Sequence, residues 1–192
     1  LPFIESQFDP YAQSSTGASG IWQFILSTAR EQKLKKNWWY DGRRDIVAST
    51  DAAFNYLSKL YNKYDDWLLA IAAYNAGPNR ILKEIKKNKA KGLPTDFWSL
   101  KLPRETKAYV PKLLALLEVI KSPEKFSVVI PNLPNRPYFQ LVTLPSQVDL
   151  MQVANISGLK LEVIYELNPG FNQWATDPNG PFHILLPVGI AD

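Results

Sequence analysis

The sequence predicts a mainly helical protein that ends in a small α+β module. Apolar residues recur at helical spacing through most of residues 1–121. Four prolines then fall between residues 123 and 137, which is the composition of a linker. The remaining residues are patterned as strand, helix, helix and strand. We therefore expect a helical domain at 1–125, a linker at 126–137 and the α+β module at 138–192.

The first two helical segments flank a loop that contains glycine. A short apolar stretch from residue 1 stops at Asp9-Pro10, because the residue before a proline disfavours helix. Apolar residues then predict a helix over 21–33, with Ser19 as the candidate N-cap. The chain starts inside the first apolar stretch with no cap before it, so we expect a preceding segment that has been removed or is a separate chain.

Further helices follow to residue 121. The spacing of apolar residues predicts an amphipathic helix over 46–61. Asp66 can cap a nearly continuous apolar run, Trp67–Ala76, which predicts a helix buried on most sides and ended by Gly77-Pro78. Helices are expected over 79–91, with a lysine-rich outer face, and from residue 104, with a kink or a new start at Pro111.

The C-terminal module has short elements. Strands are predicted over 138–142 and 182–186, and helices over 149–156 and 161–167. The expected order is therefore βααβ.

Composition excludes several chemistries. The absence of cysteine excludes disulfides, thiolate metal sites and a thiol nucleophile, and the single histidine, His183, excludes a multi-histidine metal site. No apolar run approaches the roughly 18 residues of a membrane span. The net charge of +4 suits an anionic partner without selecting one. The lysine groups fit a solvated helix face or a ligand surface.

Glu5 is the best candidate for an acid catalyst. It lies between Ile4 and Phe8 on an apolar segment, where burial would raise the pKa of its carboxyl group and keep it protonated near neutral pH. Glycoside cleavage needs such an acid at the leaving oxygen. The residues alone also fit a structural glutamate at a helix end.

Aromatic and amide side chains near this acid could form a sugar site. Trp22 could pack on a pyranose ring while Gln23 fixes an acetamido group, although Trp22 also fits an ordinary core position. Tyr74 and Asn75 end the apolar helix, where buried polar groups need partners.

These motifs occur together and in order, and together they resemble the lytic transglycosylase domain of the goose-lysozyme-like superfamily. The motifs are Glu5-Ser6, Ser14, the loop Gly17-Ala18-Ser19-Gly20-Ile21-Trp22-Gln23 and the run Ala72-Ala73-Tyr74-Asn75-Ala76-Gly77. The segments around Trp39-Tyr40-Asp41, Asp96-Phe97-Trp98 and Pro103-Arg104-Glu105 resemble its membrane-bound branch more narrowly. The resemblance covers about residues 1–122 and implies a lysozyme-like fold.

The resemblance implies non-hydrolytic cleavage of peptidoglycan glycan strands without a cofactor or metal. Glu5 would protonate the glycosidic oxygen and then act as the base, so that no second carboxylate is needed. Ser14, Gln23, Tyr74, Asn75 and Glu105 would bind the substrate. A monomer in the bacterial periplasm is expected, with a longer precursor anchored at the outer membrane and no nucleic-acid partner.

The C-terminal module resembles a LysM peptidoglycan-binding module in order and length. Residues 146–150, after the first strand, lack the glycine that is usual in its turn. Two interpretations therefore stand side by side, binding of glycan and packing against the helical domain.

The sequence is also compatible with two rival functions. A lysozyme-like hydrolase would leave reducing ends instead of 1,6-anhydro ends, and a catalytically inactive peptidoglycan-binding module would leave the glycan uncut. The joint presence of the acid, the loop and the Tyr-Asn pair favours an active enzyme.

Overall fold

The computed structural model describes residues 1–190 and confirms a mainly helical chain followed by a small α+β module. In that range the chain forms eight α-helices, two 3₁₀ helices and one two-stranded sheet. The α-helices are α1 Pro2–Ser6, α2 Leu26–Glu31, α3 Ile46–Tyr64, α4 Trp67–Ala76, α5 Pro78–Lys89, α6 Arg104–Lys121, α7 Leu150–Ser157 and α8 Leu161–Leu167. The strands are β1 Phe139–Thr143 and β2 His183–Pro187, and the 3₁₀ helices are Phe97–Ser99 and Pro123–Phe126.

The chain divides into two compact units. The first unit comprises residues 1–53 and 133–190 of the described chain, and the second comprises residues 54–132. The α+β module therefore belongs to the same compact unit as the N-terminal segment.

The second unit is built around α4. The Asp66 carboxylate accepts hydrogen bonds from the backbone N–H groups of Leu68 and Leu69, at 2.7 and 3.1 Å, which confirms the predicted cap. The helix is apolar on all sides, and it packs against α5 and α6. Gly77, with φ of 88°, ends α4 as predicted, and it also stands at the N-cap position of α5.

The sequence predicted either a kink or a new helix start at Pro111. The new start is wrong, because one helix, α6, runs through Pro111 from Arg104 to Lys121. A proline inside a helix removes one backbone hydrogen bond. Tyr109, Val110 and Leu113 are buried on both sides of it, so packing holds the helix together across the missing bond.

The helix predicted over 21–33 is wrong in its first half. Only Leu26–Glu31 is helical, and Ile25 stands at the N-cap position without a side-chain cap. Ser19 is not a cap, because its backbone pairs with Gln13 and Phe24 in isolated bridges. Gly20 and Gln23 have φ values of 81° and 50°, in the left-handed region that a right-handed helix cannot contain.

The α+β module has the predicted βααβ order. Strands β1 and β2 are antiparallel, with Phe139 opposite Pro187 and Thr143 opposite His183. Asp149 caps α7 by accepting from the Met151 N–H at 2.7 Å. The core of the module also contains Tyr40, which is 3% exposed and comes from the N-terminal segment.

None of the helices in residues 1–190 combines the length and the apolar character that a membrane span requires.

Candidate active site

Glu5 lies on α1 and is partly buried. None of the five residues of α1 is fully buried, so the predicted enclosure of this carboxyl group is only partial. The next residue fixes the helix in place, since Ser6 Oγ donates to the Ile21 carbonyl oxygen at 3.0 Å and to that of Pro2 at 3.2 Å. The acid is thereby tied to the glycine-containing loop.

That loop is built around the buried guanidinium of Arg43, which is 2% exposed. Its Nη1 donates to the carbonyl oxygens of Gly17 and Phe24 at 2.7 and 3.2 Å, at the two ends of the loop. The backbone also comes very close to Gly20, because a Cβ at that position would collide with the Arg43 carbonyl oxygen. Arg43 therefore sets the shape of the loop.

Asp41 neutralises this buried arginine. Its carboxylate accepts from Arg43 Nε at 2.9 Å and Nη2 at 2.6 Å, in a bidentate pair. Burial alone would raise the pKa of Asp41, but the hydrogen bonds and charge of Arg43 outweigh burial and hold that pKa below its usual value. Sequence reasoning missed the role of Arg43, for which the spacing Asp-Gly-Arg was the one available signal.

The side chains of Ser14 and Gln23 form hydrogen bonds to the backbone in and next to the loop. Ser14 Oγ accepts from the Ala18 N–H at 3.0 Å. Gln23 Nε2 donates to the carbonyl oxygens of Ala12 and Gly20 at 3.1 and 2.8 Å. Within residues 1–190 this leaves the Oε1 atom of Gln23 without a partner, so one acceptor is available to a ligand.

Trp22 belongs to the core. It is 6% exposed, and its Nε1 donates to Thr50 Oγ1 at 2.9 Å. The indole face is therefore not available to a sugar ring, which decides between the two interpretations of this residue.

In the second unit the structure brings Asn75 and Glu105 together. Asn75 Nδ2 donates to Glu105 Oε1 at 3.3 Å, and Asn75 Oδ1 accepts from Thr106 Oγ1 at 2.8 Å. The Thr106 side chain is buried, whereas Glu105 lies at the protein surface. Tyr74, one residue before Asn75, is partly buried and packs its ring 5.7 Å from that of Tyr56. The last turn of α4 and the first turn of α6 thus present an amide, a carboxylate and a phenol.

Asp45 is engaged in a buried network with the α+β module. Its Oδ2 accepts from Tyr40 at 2.8 Å and lies 3.1 Å from His183 Nε2, while Oδ1 accepts from the Ala48 N–H at 2.7 Å. Burial favours a higher pKa for Asp45, and the hydrogen bonds from His183, Ala48 and Tyr40 bring that pKa below the usual value.

Lys35 of the N-terminal segment forms an ion pair with Asp177 of the α+β module. Their Nζ and Oδ2 atoms are 2.7 Å apart, and Asp177 is fully buried.

In the described part of the chain, no group of three or more His, Cys, Asp or Glu side chains could hold a metal ion.

Comparison with known proteins identifies a family for each of the two parts of the chain. A family model described as "Transglycosylase SLT domain" matches residues 1–96, and one described as "Lytic transglycosylase MltD, LysM-like domain" matches residues 138–192. The chain belongs to the SLT transglycosylase family.

Several of its relatives carry names of the same kind. It is 45% identical, over its whole length, to "Membrane-bound lytic murein transglycosylase D" of Escherichia coli, in strains K12 and CFT073. It is 34% identical, over 50% of its length, to "Membrane-bound lytic murein transglycosylase F" of Desulfosudis oleivorans, where the match covers 21% of the relative. The chain spans 43% of the length of the Escherichia coli proteins.

Proposed function

We propose that this chain carries the catalytic centre of a lytic transglycosylase. The substrate is the glycan strand of peptidoglycan, and the bond cleaved is the β-1,4 bond between N-acetylmuramic acid and N-acetylglucosamine. The product ends in a 1,6-anhydromuramyl group. The observation that carries this proposal is Glu5, a partly buried acid that Ser6 fastens to the Arg43-supported loop.

In the first step, protonated Glu5 donates its proton to the glycosidic oxygen. The bond from that oxygen to C1 of the muramyl residue breaks, and N-acetylglucosamine leaves with a free 4-hydroxyl group. The acetamido oxygen of the muramyl residue bonds to C1 and stabilises the positive charge.

In the second step, the Glu5 carboxylate takes the proton of the 6-hydroxyl group. That oxygen bonds to C1 as the acetamido oxygen departs, which closes the anhydro ring and returns Glu5 to its protonated form. Water is not consumed.

Two carboxylates of the N-terminal segment, Asp41 and Asp45, support a mechanism with one acid. A glycosidase with two carboxylates needs the second one free to act as a nucleophile or base. Asp41 is occupied by Arg43, and Asp45 is occupied by Tyr40, His183 and the start of α3. Both are structural residues, and the family resemblance implies that the acetamido group of the substrate takes the second role.

The remaining predicted residues are proposed to bind the strand. Ser14 forms a hydrogen bond in the region of the catalytic acid, and Gln23 accepts a hydrogen bond from the substrate at its Oε1 atom. Tyr74, Asn75 and Glu105 contact the sugars. We further propose that the enzyme acts as a monomer in the bacterial periplasm.

The test is digestion of purified peptidoglycan, followed by mass spectrometry of the products. Anhydro ends lack one water relative to hydrolysis products, so the masses identify the reaction. The unaltered chain should give anhydro ends, and Glu5→Gln should give none, because an amide cannot donate the proton. Glu31→Gln, a change at an exposed glutamate of α2, is the matched control and should cut normally.

Each alternative to the proposed reaction predicts a different result of this digest. Reducing ends would identify a lysozyme-like hydrolase. An uncut wall would identify a binding module, and anhydro ends from Glu5→Gln would remove Glu5 from the mechanism.

A further inference from the structure

Charge is divided unevenly between the two compact units. By sequence, residues 54–132 contain 14 basic and 7 acidic residues, a net charge of +7. The rest of the chain contains 8 basic and 11 acidic residues, a net charge of −3. The modest overall charge of +4 therefore conceals a strongly basic second unit.

The basic residues are concentrated on the outer face of α5. The inner face of this helix is fixed by Ile81, which is fully buried, and by Asn88, whose Nδ2 donates to the carbonyl oxygens of Pro94 and Ser99 at 2.8 and 3.0 Å. Facing outward, a shallow depression of about 540 Å³ is lined by Asn79, Leu82, Lys83, Lys86, Lys87 and Ala90. These six positions follow helical spacing along one side of α5. We call this surface the lysine face.

Most of its positive charge is not neutralised. Lys87 pairs with Glu84 at 2.6 Å. Lys83 and Lys86 are exposed, and among residues 1–190 neither has a carboxylate within salt-bridge distance. Unpaired like charges on one helix face repel each other, which an anionic ligand would relieve.

The lysine face begins at Asn79, shortly after the proposed substrate-binding residues of α4 in the chain. Asn75 lies two residues before Gly77, where α4 ends and α5 begins. A glycan strand of peptidoglycan carries peptide stems, and these stems carry free carboxylates. A polymer bound at Asn75 can therefore place anionic side branches beside α5.

We propose that the lysine face is a binding site for the carboxylates of the peptide stems, and this inference rests on the proposed function. Leu82 and Ala90 provide apolar contact for the body of a stem, while Lys83 and Lys86 bind its carboxylates. Exposed ion pairs of this kind are individually weak and screened by salt, so the site acts through several contacts.

The experiment measures binding and does not depend on cleavage. Co-sedimentation with insoluble peptidoglycan is compared before and after the stem carboxylates have been converted to amides, in the Glu5→Gln background, which preserves the wall. Lys83→Gln/Lys86→Gln is compared with Lys112→Gln/Lys121→Gln, which removes the same charge from exposed positions on α6. Anionic vesicles of phosphatidylglycerol provide a second surface.

We expect the α5 variant to bind the native wall about threefold to tenfold more weakly than its parent in 50 mM salt, and equally well in 500 mM salt. On the amidated wall parent and variant should bind alike, and the α6 variant should bind like its parent throughout. Equal losses in both double variants would overturn the proposal, as would a loss that persists on the amidated wall. Weaker binding to vesicles with unchanged binding to the wall would assign the face to a lipid surface instead.

Failure of this proposal differs from failure of the proposed function. If the digest gives no anhydro ends, the reaction is wrong while the carboxylate dependence of binding can still hold. If anhydro ends form and the α5 variant binds the native wall normally, only the lysine face loses its role.

Discussion

Gly20 is required for the close approach of the candidate site loop to the backbone of Arg43. Its φ is 81°, and an added Cβ would meet the Arg43 carbonyl oxygen. Gly20→Ala should therefore lower the free energy of unfolding by about 3 kcal/mol, through backbone strain and overpacking together. Chemical denaturation of the variant measures this loss.

Gly17 provides the matched control for that substitution. It has the same φ of 81°, but a Cβ there would have no atom within 4 Å. Gly17→Ala should carry only the cost of the left-handed conformation, about 1 kcal/mol. Equal losses at both positions would contradict the claim that contact with Arg43 makes Gly20 necessary.

At single residues, sequence reasoning succeeded where a side chain acts on its neighbours in the chain. Asp66 was predicted as a cap from the apolar run that follows it, and the structure confirms it. Arg43 was missed because its partners at Gly17 and Phe24 are distant in sequence. Gln23 was placed in a helix because nothing in its residue type signals a positive φ.

At the scale of elements, the join between α4 and α6 offers a test of the proposed substrate site. Thr106 Oγ1, at the start of α6, donates to Asn75 Oδ1 at the end of α4. Thr106→Val keeps the shape but removes the donor, so it should cost about 1 kcal/mol of stability and lower kcat for peptidoglycan cleavage by misplacing Asn75.

Thr106→Ser keeps the hydroxyl group and is the control for that change. It should retain most of the cleavage rate despite the loss of a methyl group. Full turnover in Thr106→Val would mean that the orientation of Asn75 does not matter to the reaction.

Helical periodicity predicted the long helices well and the loop badly. The expected helices over 46–61 and 79–91 correspond to α3 and α5 with end shifts of three residues at most. The apolar residues Ile21, Trp22, Phe24 and Ile25 also have helical spacing, yet they lie in a loop, where the first three are buried and Ile25 is exposed. Periodicity of apolar residues cannot tell a buried loop from a buried helix face.

At the scale of the whole molecule, the α+β module shares its core with the N-terminal segment of the first unit. Tyr40 packs 5.6 Å from Phe171, and its hydroxyl group donates to Asp45. Asp45 in turn contacts His183 on β2. Of the two interpretations of the module, packing is thus observed. The sequence could not decide it, because the contacts of Tyr40 with Phe171 and of Asp45 with His183 join residues more than 100 positions apart.

The Asp45 network should make the stability of the first unit sensitive to acid. The pKa of Asp45 is lower in the folded chain than its ordinary value near 4, so the folded state binds its proton less readily than the unfolded state. The stabilising contribution of Asp45 is therefore complete above about pH 4 and is lost as the pH falls through the lowered pKa. Removing the carboxylate should cancel this part of the pH dependence.

Asp45→Asn should accordingly lower the free energy of unfolding by about 1–3 kcal/mol at pH 7, because Tyr40 and His183 lose a charged acceptor. The deficit relative to the unaltered chain should shrink below about pH 4, where the native carboxylate becomes protonated as well. Urea unfolding at a series of pH values measures both quantities. Asp51→Asn, at an exposed position on α3, controls for the loss of charge and should track the unaltered chain. A deficit that stayed constant from pH 7 to pH 3 would show that Asp45 stabilises the unit by its shape and not by its charge.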